Sequence, residues 1–183
     1  MIEESTQIDD ALFNVEQHYR RFIDSITEAE QYESAIKRQL RIMFAEVLAG
    51  ILVSTVMGMF IVSLWANNNL IPMYIVSTFL GVVIILLWVF YKKENETLKN
   101  ECERLKNSID VPPNRLSVLR GAEHNYQMEV GRSKEHNFYN SKWSHAHFLL
   151  EDAKIVSEKR LSRIDFSLAE NTSFFKFIIK SLF

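Results

Sequence analysis

Charge is what the middle of this sequence lacks. Between Arg41 and Lys92 the only charged residue is Glu46. Cysteine is nearly absent as well. Cys102 stands alone, which excludes an intramolecular disulfide and a cysteine-based metal site. Glycine (5) and proline (3) are scarce among 183 residues. Strand-like alternation with hairpin turns is missing from Asn114–Phe183, and an all-α fold is expected. There is no glycine-rich phosphate loop, GxSxG elbow, HExxH or CxxC, so neither an enzyme nor a cofactor is expected. The first ten residues, MIEESTQIDD, hold neither a basic nor an apolar run. They read as neither a secretory signal nor a transit peptide, and the first apolar segment is expected to stay in the mature protein.

What is present is two long apolar runs, Phe44–Trp65 and Met73–Tyr91. Each has about the 20 residues a helix needs to cross a hydrocarbon core. The link between them, ANNNLIP, is short and rich in turn residues, which forces an antiparallel hairpin. Trp65 and Tyr74 mark one interface, and Trp88 and Tyr91 the other. Lys37, Arg38 and Arg41 precede the first run, Lys92, Lys93 and Lys99 follow the second, and the link has no basic residue. The positive-inside rule then places both termini in the cytoplasm. Two glycosylation-like triplets, at Asn95 and Asn171, fall on that inner side and read as chance matches.

Small residues recur at every fourth position: Gly50, Ser54 and Gly58 on the first run, Ser77 and Gly81 on the second. In lipid, close backbone approach over small residues supplies packing energy. These stripes either hold one hairpin together or build a homo-oligomer. Glu46 lies on the same stripe, one turn before Gly50. It either snorkels to the headgroups or forms a carboxylate ring at the inner mouth of an oligomeric pore.

Before the first run, apolar residues from Ile8 to Leu40 alternate in steps of four and three, interrupted only by Glu33. This is a heptad seam that leads straight into the first span. After the second run, Leu98, Cys102, Leu105 and Ile109 continue the spacing until Pro112-Pro113 stops the helix. The two segments are expected to pair as an antiparallel stalk, within one chain or between subunits. Further on, one helix is expected around Leu116–Val130, weakened by Gly121 and Gly131, and a second over roughly Phe138–Leu168. The tail FFKFIIKSLF, after an Asn171/Thr172 cap, reads as an interfacial helix or as a last core element. The expected divisions are residues 1–42 (heptad helix), 43–91 (hairpin), 92–111 (stalk) and 112–183 (cytoplasmic helical domain with its apolar tail).

Other candidate sites are thin. From Lys92 to Phe183 the chain holds sixteen Lys/Arg against thirteen Asp/Glu. Arg115, Arg120, Arg132 and Lys134 either meet a phosphate-bearing ligand, with Tyr126 and Trp143 stacking on its base, or form a solvated surface. His145 and His147 make an HxH pair near Glu151, too few ligands for a metal site. Arg120/His124 and Arg132/His136 resemble the Arg/His pairs of HEPN-type RNases. Only three residues intervene in each pair here, against four to six in that family, so no nuclease activity is expected.

The layout resembles small bacterial defence effectors with two transmembrane helices, such as SLATT-type and CRISPR-associated membrane effectors. The hairpin Phe44–Tyr91, its basic flanks and the helical extension Lys92–Ile109 carry the resemblance, which is architectural and transfers no site residue. It implies a homo-oligomer that senses infection in the cytoplasm, through a nucleotide second messenger or a protein partner, and permeabilises the inner membrane. The rival reading is a non-conducting anchor or scaffold that recruits a partner through its coiled coil.

Overall fold

The computed structural model describes residues 2–67, 69–132, 140–170 and 174. The protein is all-α, and no strand occurs among the described residues. Four helices follow in order: α1 (Ile2–Ala66), α2 (Leu70–Ser108), α3 (Val111–Arg132) and α4 (Asn140–Val156). A π-helical turn (Ser157–Leu161) and a 3-10 turn (Phe166–Glu170) come after α4. The heptad segment and the first apolar run are thus one uninterrupted helix. Likewise the second run continues into the stalk as α2.

The boundaries follow local chemistry. Asn67 Nδ2 donates to the Ser63 carbonyl at 2.9 Å and satisfies one of the last carbonyls of α1. The turn is tighter than expected, because α2 already begins at Leu70 and takes Pro72 into its first turn. Proline is accepted there, where its missing N–H has no intrahelical partner. The same reason applies to Pro112 and Pro113. They do more than end α2: they sit in the first turn of α3, with Pro112 fully buried. Gly121 does not break α3. The second C-terminal helix is shorter than expected, since α4 ends at Val156 and the chain continues through the π and 3-10 turns.

The fold forms two compact units. Unit 1 comprises Met1–Glu33 and Arg104–Ser167; unit 2 comprises Ser34–Glu103 and Leu168–Phe183. In unit 1, α4 runs parallel to α1. Asp9 pairs with Lys142, Glu16 with His145, Tyr19 with Asp152 and Glu30 with Arg160, and the separation in sequence stays between 129 and 133. The core of unit 1 includes Val15, Phe22 and Ile26 of α1, Leu119 and Tyr126 of α3 and Ala153 of α4, all completely buried. Glu33, which interrupts the seam, is tolerated because its carboxylate accepts the Asp165 N–H at 3.3 Å.

In unit 2, α1 and α2 are antiparallel. As α1 advances from Gln39 to Gly50, its partner on α2 retreats from Glu94 to Leu87. Ile36, Leu40 and Met43 are buried, as are Leu98 and Cys102 of α2. The stalk pairing therefore forms within one chain. Phe174, the first residue of the apolar tail, is buried against α2, where its ring meets Tyr91 edge-on. The rest of the tail and the Asn171/Thr172 cap lie outside the described residues.

Two polar contacts of unit 1 make its stability pH-dependent. Arg160 grips Glu30 through two hydrogen bonds of 2.8 and 2.5 Å, which hold the Glu30 carboxyl below its ordinary value of 4.5. A lowered value means the contribution is present above 4.5 and is lost as pH falls further. Both side chains are about a third exposed, so the pair is worth no more than about 1 kcal/mol. Burial, then the Asp152 carboxylate it donates to, pushes the Tyr19 phenol up to about 12. That contribution is complete below the ordinary value of 10 and disappears as pH rises through about 12. Urea unfolding of the full chain in detergent at pH 9 and 11 should show an alkaline loss of stability that is smaller in Tyr19→Phe.

Candidate functional site

The two apolar runs stay open in the fold. In each, none of an 18-residue apolar window is buried. A helix inside a soluble core would be mostly covered. Val56, Met59, Phe60, Ile75 and Ile85 are each more than half exposed. Two helices are therefore long and apolar enough to cross a membrane, and their surfaces are free to meet lipid. Two hydroxyls on them are already satisfied. Thr55 donates to the Ile51 carbonyl at 2.8 Å and Thr78 to the Tyr74 carbonyl at 2.9 Å, one turn back in each case.

The hairpin seam uses the small residues of α1. Half-buried positions along it are Glu46, Gly50, Ser54, the adjacent Met57 and Gly58, Ile61 and Leu64, otherwise in steps of three and four. Gly50 is the one glycine of the chain with a close neighbour on the facing helix. A Cβ added there would stand 3.1 Å from Leu87 Cδ1, tighter than ordinary contact. Gly58 and Gly81 have nothing within 4 Å of such an atom. On α2, Gly81 is half-buried and Ser77 is exposed, so Ser77 does not share the seam.

Beside this crossing lies a groove of about 530 Å³. Its α1 wall runs Glu46, Gly50 and Ser54; its α2 wall includes Leu87, Trp88 and Tyr91. The remaining lining is aliphatic apart from Thr55, so Glu46 is the one formal charge in it. The antiparallel register puts Glu46 at the Tyr91 end, next to the basic flanks. Lys37, Arg38, Arg41, Lys92, Lys93 and Lys99 are all exposed there.

The other sequence candidates do not converge. Tyr126 is completely buried in the unit 1 core and cannot stack on a base, which corrects that expectation. Its position, seven residues after Leu119 on the inward face of α3, explains why. Arg115 donates to the Arg21 carbonyl at 2.5 Å and serves as a tie between helices. Arg120 and His124 are exposed on α3. Trp143, 37% exposed, stacks on His147 at 5.7 Å and 4°. Arg132 and Lys134 have side chains outside the described residues. His145 and His147 each face one carboxylate on another helix, Glu16 and Glu123, at 3.3 and 3.5 Å. Among the described residues no three His, Cys, Asp or Glu side chains gather to hold a metal.

Reading the residues in order missed Asn95 and Phe174. The Phe174 N–H donates to Asn95 Oδ1 at 3.3 Å. The only sequence signal for this contact was the apolar start of the tail.

Comparison with known proteins returns nothing: no family model matches the chain, nor does any curated protein or solved structure.

The crossing predicts an asymmetry among the glycines. Gly50→Leu should push α1 from α2 and cost about 1–3 kcal/mol of stability in detergent. Gly58→Ala meets no neighbour and should raise stability, by up to about 1 kcal/mol. Thermal unfolding of the solubilised protein would read the difference.

Proposed function

We propose that this chain is a membrane effector: the hairpin crosses the inner membrane twice, several copies associate, and together they open a pore or disrupt the bilayer. Both termini lie in the cytoplasm, where the helical region controls the hairpin. The observation that carries this reading is the position of Glu46. It lies in a groove beside the close contact of Gly50 with Leu87, on a hairpin whose outer surface is apolar. A carboxylate at that depth needs water or a partner. A ring of Glu46 side chains around a shared aqueous path provides water and favours cations. The exposed basic flanks support the orientation through the positive-inside rule.

One hairpin leaves most of its apolar surface uncovered and cannot line a channel alone. Association over small residues, such as the outward-facing Ser77 and its neighbour Gly81, supplies the further packing. The architectural resemblance suggests antiviral defence as the setting, with a nucleotide messenger or a protein as trigger.

The rival is a scaffold that recruits a partner through its coiled coil. The seam argues against it, because Ile8, Val15, Phe22, Ala29, Ile36 and Met43 are already buried within the chain. A partner would have to displace the protein's own helices to reach them.

Induced expression should depolarise cells carrying a potential-sensitive dye, and Glu46→Gln should change the conductance or its cation preference. Light scattering of the detergent particle should give the mass of several subunits. A strict monomer together with an undisturbed membrane potential would sink the proposal.

A further inference from the structure

Unit 2 ends in a stretch that the proposed function leaves unused. Leu168 and Ala169 are buried, and the Leu168 carbonyl accepts a hydrogen bond from Cys102 Sγ at 3.5 Å. Further on, Phe174 is only 1% exposed. Its N–H is held by Asn95, and its ring meets Tyr91 with centroids 6.3 Å apart and planes at 68°. As the chain goes from Leu168 to Phe174, its partners on α2 go from Cys102 through Asn95 to Tyr91. The two contact points, at Leu168 and Phe174, therefore follow α2 toward the second apolar run.

Two features make these contacts separable from the helices beneath. The backbone bonds of α1 and α2 are internal to each helix, so neither needs Phe174 to stay helical. And Phe174 packs on Tyr91, whose side chain also forms the wall of the groove that contains Glu46. A ring seated on Tyr91 limits where that wall can move. A ring withdrawn from it removes the limit.

We propose that Leu168 and Phe174 are the two anchors of an intramolecular strap on α2, which holds the base of the hairpin in the observed arrangement until its release activates the effector. The strap itself stands on the contacts above. Its consequence for the membrane rests on the function proposed in the preceding subsection.

Cys102 provides a direct readout. It is the only thiol in the chain and is fully buried under Leu168. Burial, with the Glu101 carboxylate adding, pushes its pKa up to about 11, so it reacts slowly while covered. The experiment is N-ethylmaleimide labelling of the full chain in native membranes, followed by mass spectrometry. Phe174→Ala should speed labelling about 100-fold or more, the opening that loss of a buried ring implies. Asn95→Ala removes only a hydrogen-bond acceptor and places a better helix former in α2, so a general loss of folding would not explain its effect. It should speed labelling about fivefold. Phe13→Ala, on an exposed ring of unit 1, should leave the rate unchanged.

Wild-type labelling rates in both Phe174→Ala and Asn95→Ala would refute the strap. The same cells are scored for membrane potential. Faster labelling with stronger depolarisation supports the strap as the activating device. Faster labelling with depolarisation equal to that of a depolarising wild type overturns its activating role. Faster labelling while neither wild type nor variants depolarise overturns the pore and leaves the strap standing.

Discussion

Every seventh residue of α1 from Ile8 to Met43 is withdrawn from solvent, and both units are organised around that row. Two helical turns take 7.2 residues, so a seven-residue repeat returns to nearly the same face and drifts by only about 20° per heptad. In unit 1 the partners are α3 and α4; in unit 2 they are the stalk residues Leu98 and Cys102. Burying each large apolar side chain contributes on the order of 1.5–3 kcal/mol, which outweighs any single polar contact in either unit. The one acidic interruption, Glu33, survives because a backbone N–H meets its carboxylate.

Polar contacts determine register where apolar contacts supply affinity. An apolar seam alone tolerates a slide of one turn. The pairs joining α1 to α4 recur at nearly constant sequence separation, and a slide would break all of them together. Arg160 is the most committed of these residues. Its guanidinium reaches both Glu30 oxygens and Thr27 Oγ1, and the π-helical turn carries it there. The bidentate geometry is what a planar guanidinium provides and an ammonium does not.

The hairpin obeys a different balance. Its apolar surface is left uncovered by the chain, which in water would cost about 25 cal/mol for every Å². In lipid that cost vanishes, and the requirement becomes internal satisfaction of polar groups. Thr55 and Thr78 meet it by bonding back along their own helices. Among the described residues Glu46 has no such local partner, which sets the groove around it apart from the rest of the hairpin.

Much of the fold was legible in the residues themselves, because it depends on periodicity and on transfer between solvents. The all-α class, the two apolar runs, their hairpin link and the seam from Ile8 onward all follow from spacing that a helix imposes locally. The seam placement of Glu46 and Gly50 was also visible, since positions four apart share a face. Other features depended on what came to lie opposite. Tyr126 looked like a surface ring available for stacking, and only the packing of α3 within unit 1 buried it. Gly50 and Gly58 are equivalent in the stripe, yet only Gly50 meets a close neighbour, Leu87, because two crossing helices touch closely over a short length. Phe174 could have faced lipid or protein, and its place against Tyr91 was decided by contacts dozens of residues away in sequence. Sequence alone determined which surfaces must leave water. Tertiary structure decided which neighbour each surface met, because that choice depends on the register between helices and not on the pattern within any one of them.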